Sequence, residues 1–135
     1  MPGGANRTAM RANVRAALAA LPRMADVPDR GILAPRPDLS QIPERMVATP
    51  LERPEVASAA GTDRTTTLEV VIRRKGADAQ DALDLDQDVI EPAVIAALGQ
   101  GSTVCDLTEA RLAFEPEGKT PLAQLTLTFT VLQFD

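Results

Sequence analysis

Three observations in the sequence predict an α+β fold: a mixed, mainly antiparallel sheet of about four to five strands with two helices packed on one face. Residues 122–135 alternate Leu125, Leu127, Phe129 and Val131 with Thr126, Thr128 and Thr130, the period of a strand with one buried face. A second alternating run, residues 65–74, sets Leu68, Val70 and Ile72 against Thr67, Glu69, Val71 and Arg73. Between them, residues 79–98 place their apolar side chains at helical spacing. A length of 135 residues suits a single domain spanning 1–135.

The first element is a helix over residues 7–21, after a flexible lead-in at 1–6. Met10, Val14, Ala17, Leu18 and Leu21 form its core stripe, Asn6 is placed to cap it, and Pro22 stops it. Arg7, Arg11 and Arg15 recur every four residues and make a second, basic stripe, which is either a solvated face or a contact with an acidic neighbour. These arginines also break the apolar run that a signal peptide needs. Seven prolines between Pro22 and Pro54 then exclude helix, and only short edge strands fit, at 31–34 and 45–51. Residues 51–64, rich in Ala, Ser and Gly, read as a long mobile loop of the kind that carries function.

After the strand at 65–74, Gly76 and Ala77 break the pattern, and Asp78 is placed to cap the second helix with Asp81 in the capping-box position. Pro92 inside that helix predicts a kink or a restart, because it removes the hydrogen bond to the carbonyl of Asp88. Asp86 projects from the apolar arc, which marks either a protein interface or a buried partner such as an arginine. Residues 104–115 and 122–134 close the chain as an antiparallel hairpin.

Composition narrows the chemistry. The sequence has no His, Trp or Tyr and a single Cys, so the commonest general base, the commonest metal ligand and any internal disulfide are missing. Cys105 reads as a small sheet residue. Asp84, Asp86 and Asp88 match the start of a calcium loop, but Val89 and Ile95 stand where that loop needs its glycine and its bidentate glutamate. The expectation is a protein without catalytic, cofactor-binding or metal-ligating residues. Arg73, Arg74 and Lys75 either meet an anion or simply end a strand in water. No apolar run is long enough to cross a membrane, and the expected setting is a reducing cytoplasm.

Net charge is −5, unevenly spread: residues 1–75 hold twelve basic and eight acidic side chains, residues 76–135 two and eleven. The basic residues are scattered singly, which suits self-complementary assembly at least as well as nucleic-acid binding.

The order of elements resembles the tail terminator, or minor tail protein U, family of long-tailed bacteriophages. The likeness lies in TTTLEVVIRRKG, the acidic helix start DAQDALDLDQ, VIEPAVIAAL with its internal proline, and the closing AQLTLTFTVLQFD. The resemblance implies a non-enzymatic virion protein at the head-proximal end of the tail, assembled in the host bacterial cytoplasm. It implies a homo-oligomer, a hexameric ring, whose partners are the major tail (tube) protein and the head–tail connector, with genomic DNA passing through without sequence-specific binding. A head-to-tail ring needs two complementary patches on each subunit. The expected subunit interface sets Arg7, Arg11, Arg15, Arg73 and Arg74 against Asp81, Asp84 and Asp88 of a neighbour. The expected tube or partner contact is the 51–64 loop, through Glu52, Arg53, Glu55, Val56, Asp63 and Arg64. The alternatives are another neck or connector protein of the same particle, or a small regulatory ligand-binding α+β domain.

Overall fold

The computed structural model describes residues 3–58, 61–115 and 120–134, and the side chains of these except 56–58, 61 and 62. Six elements carry the fold: α1 (Gly3–Ala19), β1 (Glu44–Ser58), β2 (Gly61–Lys75), α2 (Ala79–Leu98), β3 (Thr103–Glu115) and β4 (Leu122–Gln133). The strands form one antiparallel sheet in the order β1-β2-β4-β3. The architecture is α+β, with four strands and both helices on one face.

Strand alternation decides which face the helices cover. Leu68, Val70 and Ile72 of β2 meet Leu125, Leu127, Phe129 and Val131 of β4 in the core, and all are buried. Met10, Val14 and Leu18 of α1 and Leu83, Ile90, Val94 and Leu98 of α2 close over them at helical spacing. The opposite face carries Thr126, Thr128 and Thr130, half-buried, beside Glu69 and the exposed Glu109 and Arg111.

Several boundaries differ from expectation. α1 begins at Gly3, so Asn6 sits inside the helix rather than at its cap. Asn6 instead exchanges two amide hydrogen bonds with Gln133, donating at 2.8 Å and accepting at 3.1 Å, which ties the start of α1 to the end of β4. Residues 31–34 form no strand; the nearby pairing is a single parallel bridge between Asp29 and Arg45. Arg45 is buried there, donating to the carbonyls of Met24 and Val27. Burial pushes its guanidinium pKa down, partly opposed by Asp29.

The segment read as a loop at 51–64 is the largest correction. Its described residues, 51–58 and 61–64, continue β1 and begin β2, paired from Leu51↔Thr67 to Ser58↔Gly61 with irregularities at Ala48/Leu51 and Val56/Ser58, and residues 59 and 60 lie outside the described residues. Pro50 and Pro54 are tolerated because β1 is an edge strand, where a missing N–H interrupts no second ladder. α2 likewise runs unbroken through Pro92. Pro92 and Asp88 are both exposed, so the carbonyl the proline leaves unbonded can turn to water. Asp78 precedes α2 without a side-chain cap, so the expected capping box does not form.

Candidate functional site

The basic stripe of α1 lands on the chain's own β1 and on Asp29 before it. Arg7 Nη1 lies 2.8 Å from Glu52 Oε2, and Arg11 Nη1 donates to Thr49 Oγ1 at 2.6 Å. Arg15 Nε stands 3.2 Å from Asp29 Oδ2, near enough for an ion pair but off line for a hydrogen bond. Glu52 also receives Arg64 at 3.3 Å, so one half-buried carboxylate joins α1, β1 and β2. Arg7 and Arg11 thus clamp α1 to β1, and Arg15 adds a tie to the segment before β1.

Arg73 and Arg74 are also engaged within the chain. Arg73 is buried and donates to Glu44 at 3.0 Å and to Gln124 at 2.9 Å. Arg74 forks onto Asp86 with Nε at 2.6 Å and Nη2 at 2.9 Å. Arg23 completes that cluster at 3.0 Å, and the hydrogen bonds that Arg74 donates to Asp86 hold the Arg74 pKa above its ordinary value. Of the two readings of Asp86, the buried arginine partner is the one observed: the residue has no exposure at all.

All five arginines expected to face a neighbouring subunit therefore have partners in their own chain. The expected pairing with Asp81, Asp84 and Asp88 of a neighbour would have to compete with these contacts. Those three acids stand exposed on the outer face of α2 and make no ion pair among the described residues. Asp86 points inward while Asp84 and Asp88 point out, so the three do not converge on one point; among the described residues no group of three acidic or thiol side chains could hold a metal ion.

The hairpin remains as the projecting feature. β4 accompanies β2 only as far as Arg64↔Gln133, while β1 and β2 go on pairing with each other through Glu55↔Asp63 and beyond. Arg53 and Glu55 are exposed, Asp63 and Arg64 half-buried, and the side chain of Val56 lies outside the described residues. Glu55 opposite Asp63 sets two carboxylates face to face, an arrangement that costs stability unless a cation joins it.

No protein-family model and no curated protein matches the chain.

Sequence reasoning missed Glu44, Gln124, Arg23 and the Asn6–Gln133 pair. Their partners are up to 127 positions away along the chain, and no local pattern announces them. Cys105 is buried on the core face of β3, and burial, with a smaller push from Asp106, raises its thiol pKa to about 11. A group whose folded pKa is raised contributes stability below its unfolded value that is lost as pH climbs through the folded value. The unfolding free energy of the parent should therefore fall relative to Cys105→Ala between pH 9.0 and about 11, and a disulfide reagent should label the native thiol only as fast as the protein unfolds. Rapid native labelling at neutral pH would contradict this environment.

Proposed function

We propose that this chain is a structural protein of a bacteriophage tail, a terminator that binds the head-proximal end of the tail tube as a ring and stops its growth. Its partners on this reading are further copies of itself, the tube protein on one side and the head connector on the other, with DNA passing through unread. The observation that carries the reading is the β1–β2 hairpin, which extends past the sheet on a base locked by Arg7, Glu52 and Arg64. A protein that must recognise one end of a polymer needs a projecting, rigidly held contact, and exposed Arg53 and Glu55 give this one a charged surface. The face-to-face carboxylates Glu55 and Asp63 favour a basic group on the tube as the partner. The sequence pattern over β2, α2 and β4 points to the same family.

Shortening the hairpin tests this. Replacing residues 55–63 by Asn-Gly removes Glu55 and Asp63, keeps the Glu52 and Arg64 base, and leaves Pro54 opposite Arg64 as the closing pair of a two-residue turn. The variant should keep its unfolding free energy within about 0.5 kcal/mol of the parent. It should fail to limit tube length in an assembly mixture. Tubes of normal length made with the shortened protein would remove the hairpin from the mechanism.

A further inference from the structure

We propose that the open groove beside β1, between α1 and the bend at Gly31 and Ile32, takes a short extended segment of a partner protein. The segment lies along β1 as an added strand and sets an acidic side chain on Arg11. The groove measures about 410 Å³, with Arg11 and Arg15 on one side and Ile32, Met46, Ala48 and Pro50 on the other. Two guanidinium groups line it and no acid does.

The stripe on α1 shows which charge is missing. Arg7 has Glu52 and Arg15 has Asp29. Arg11, half-buried between them, reaches only the hydroxyls of Thr49 and Thr8 among the described residues. Arg15 Nε is in addition a buried donor with no hydrogen-bond acceptor. Guanidinium donors held out of water are stabilised by an anion of matching geometry, and a carboxylate supplies it.

The chain itself carries the docking mode. Residues 28–30 lie on the outer side of β1: Arg45 N–H donates to the Pro28 carbonyl at 2.9 Å, and the Arg45 carbonyl accepts from Arg30 N–H at 3.0 Å. Asp29, bridged to Arg45, meets Arg15. Gly31, at φ 73°, then turns the chain away and leaves the rest of this edge open. Backbone groups alternate in direction along a strand, so the next N–H and C=O on the outer side belong to Val47, which lines the groove. A residue placed opposite Val47 turns its side chain to the helix-bearing face, where Arg11 reaches Thr49, and its two neighbours turn theirs to the face of Met46 and Ala48. The fitting segment is therefore an acid between two apolar residues, with Ile32, 85% exposed, as a further apolar contact. The irregularity between Ala48 and Leu51, with Pro50 inside it, limits the added strand to about three residues. Asp81, Asp84 and Asp88 of a second copy do not fit, because the backbone of α2 is already bonded within its helix. Nothing in this argument depends on what binds the hairpin.

The test is a nuclear magnetic resonance titration of the full chain with acetyl-Val-Asp-Val-amide, with the matching Asn peptide and with sodium acetate. The Val47 amide and Arg11 Nε–H signals should shift saturably with the Asp peptide and respond at least about tenfold more weakly to the Asn peptide, the loss expected for one charge-assisted pair. Acetate should give no saturable shift at Val47. Arg11→Gln should bring both peptides to the same weak response. Ile32→Asp, at an exposed position that leaves folding untouched, places a carboxylate at the groove and should abolish the response to the Asp peptide. A Val47 shift with acetate equal to that with the peptide would mean an anion site without an added strand, and would overturn the proposal. Equal responses to the two peptides, an unchanged response in Ile32→Asp, or no shift up to about 10 mM peptide would each overturn it as well.

Discussion

Asp86→Ala should lower the unfolding free energy by about 3–5 kcal/mol, because it strips two guanidinium groups of a shared, fully buried carboxylate. Arg74 keeps only 15% of its side chain exposed and has little room to reach water, whereas Arg23, at 34%, can turn outward in part. The loss should therefore come mainly through Arg74. Asp86→Leu combined with Arg74→Met should recover part of it, since an apolar pair of similar volume removes the stranded charge along with its partner. Urea unfolding of the three proteins checks this. A loss below about 1 kcal/mol for Asp86→Ala would mean that the cluster is hydrated rather than buried.

Phe129→Ala should be of similar size, about 3–5 kcal/mol, for a different reason. Phe129 is the largest fully buried side chain, flanked across the sheet by Leu68 and Leu107 and covered by the helices. Phe114 and Phe134 are exposed at 55% and 46%, so no second aromatic ring stands in the core to collapse into the space. Thr128→Ala, one residue away but on the open face, should cost less than about 1 kcal/mol. Equal effects at positions 128 and 129 would contradict the assignment of the two sheet faces.

The elements legible in the sequence are those whose periodicity is set by a single strong environment. β4 from Ala123 to Val131 and β2 from Thr66 to Val70 alternate because one face meets helices and the other does not, and α2 shows its stripe because it lies flat on the sheet. The 51–64 stretch escaped for a physical reason: its regularity comes from pairing across a hairpin, and none of Leu51 to Glu55, Asp63 or Arg64 is buried to set an alternating pattern. The prolines deepened the misreading, although an edge strand tolerates them.

The candidate site was legible in part. Arg7, Arg11 and Arg15 were visible as a stripe, and Asp86 as an acid in an apolar arc, because both depend on helical spacing alone. What they touch depends on the fold, and Glu52, Thr49, Asp29, Arg23 and Arg74 are all brought in by tertiary packing. A basic stripe next to an acidic half of the chain suggested pairing between copies. Within one chain the same charges are nearer, and they are used there first.

The most direct measurement of the central claim is electron microscopy of the purified protein, alone and mixed with growing tail tubes. Rings of about six copies, or density at one end only of tubes that have ceased to lengthen, is the predicted result. Small single particles beside tubes that grow unchecked would contradict the terminator assignment.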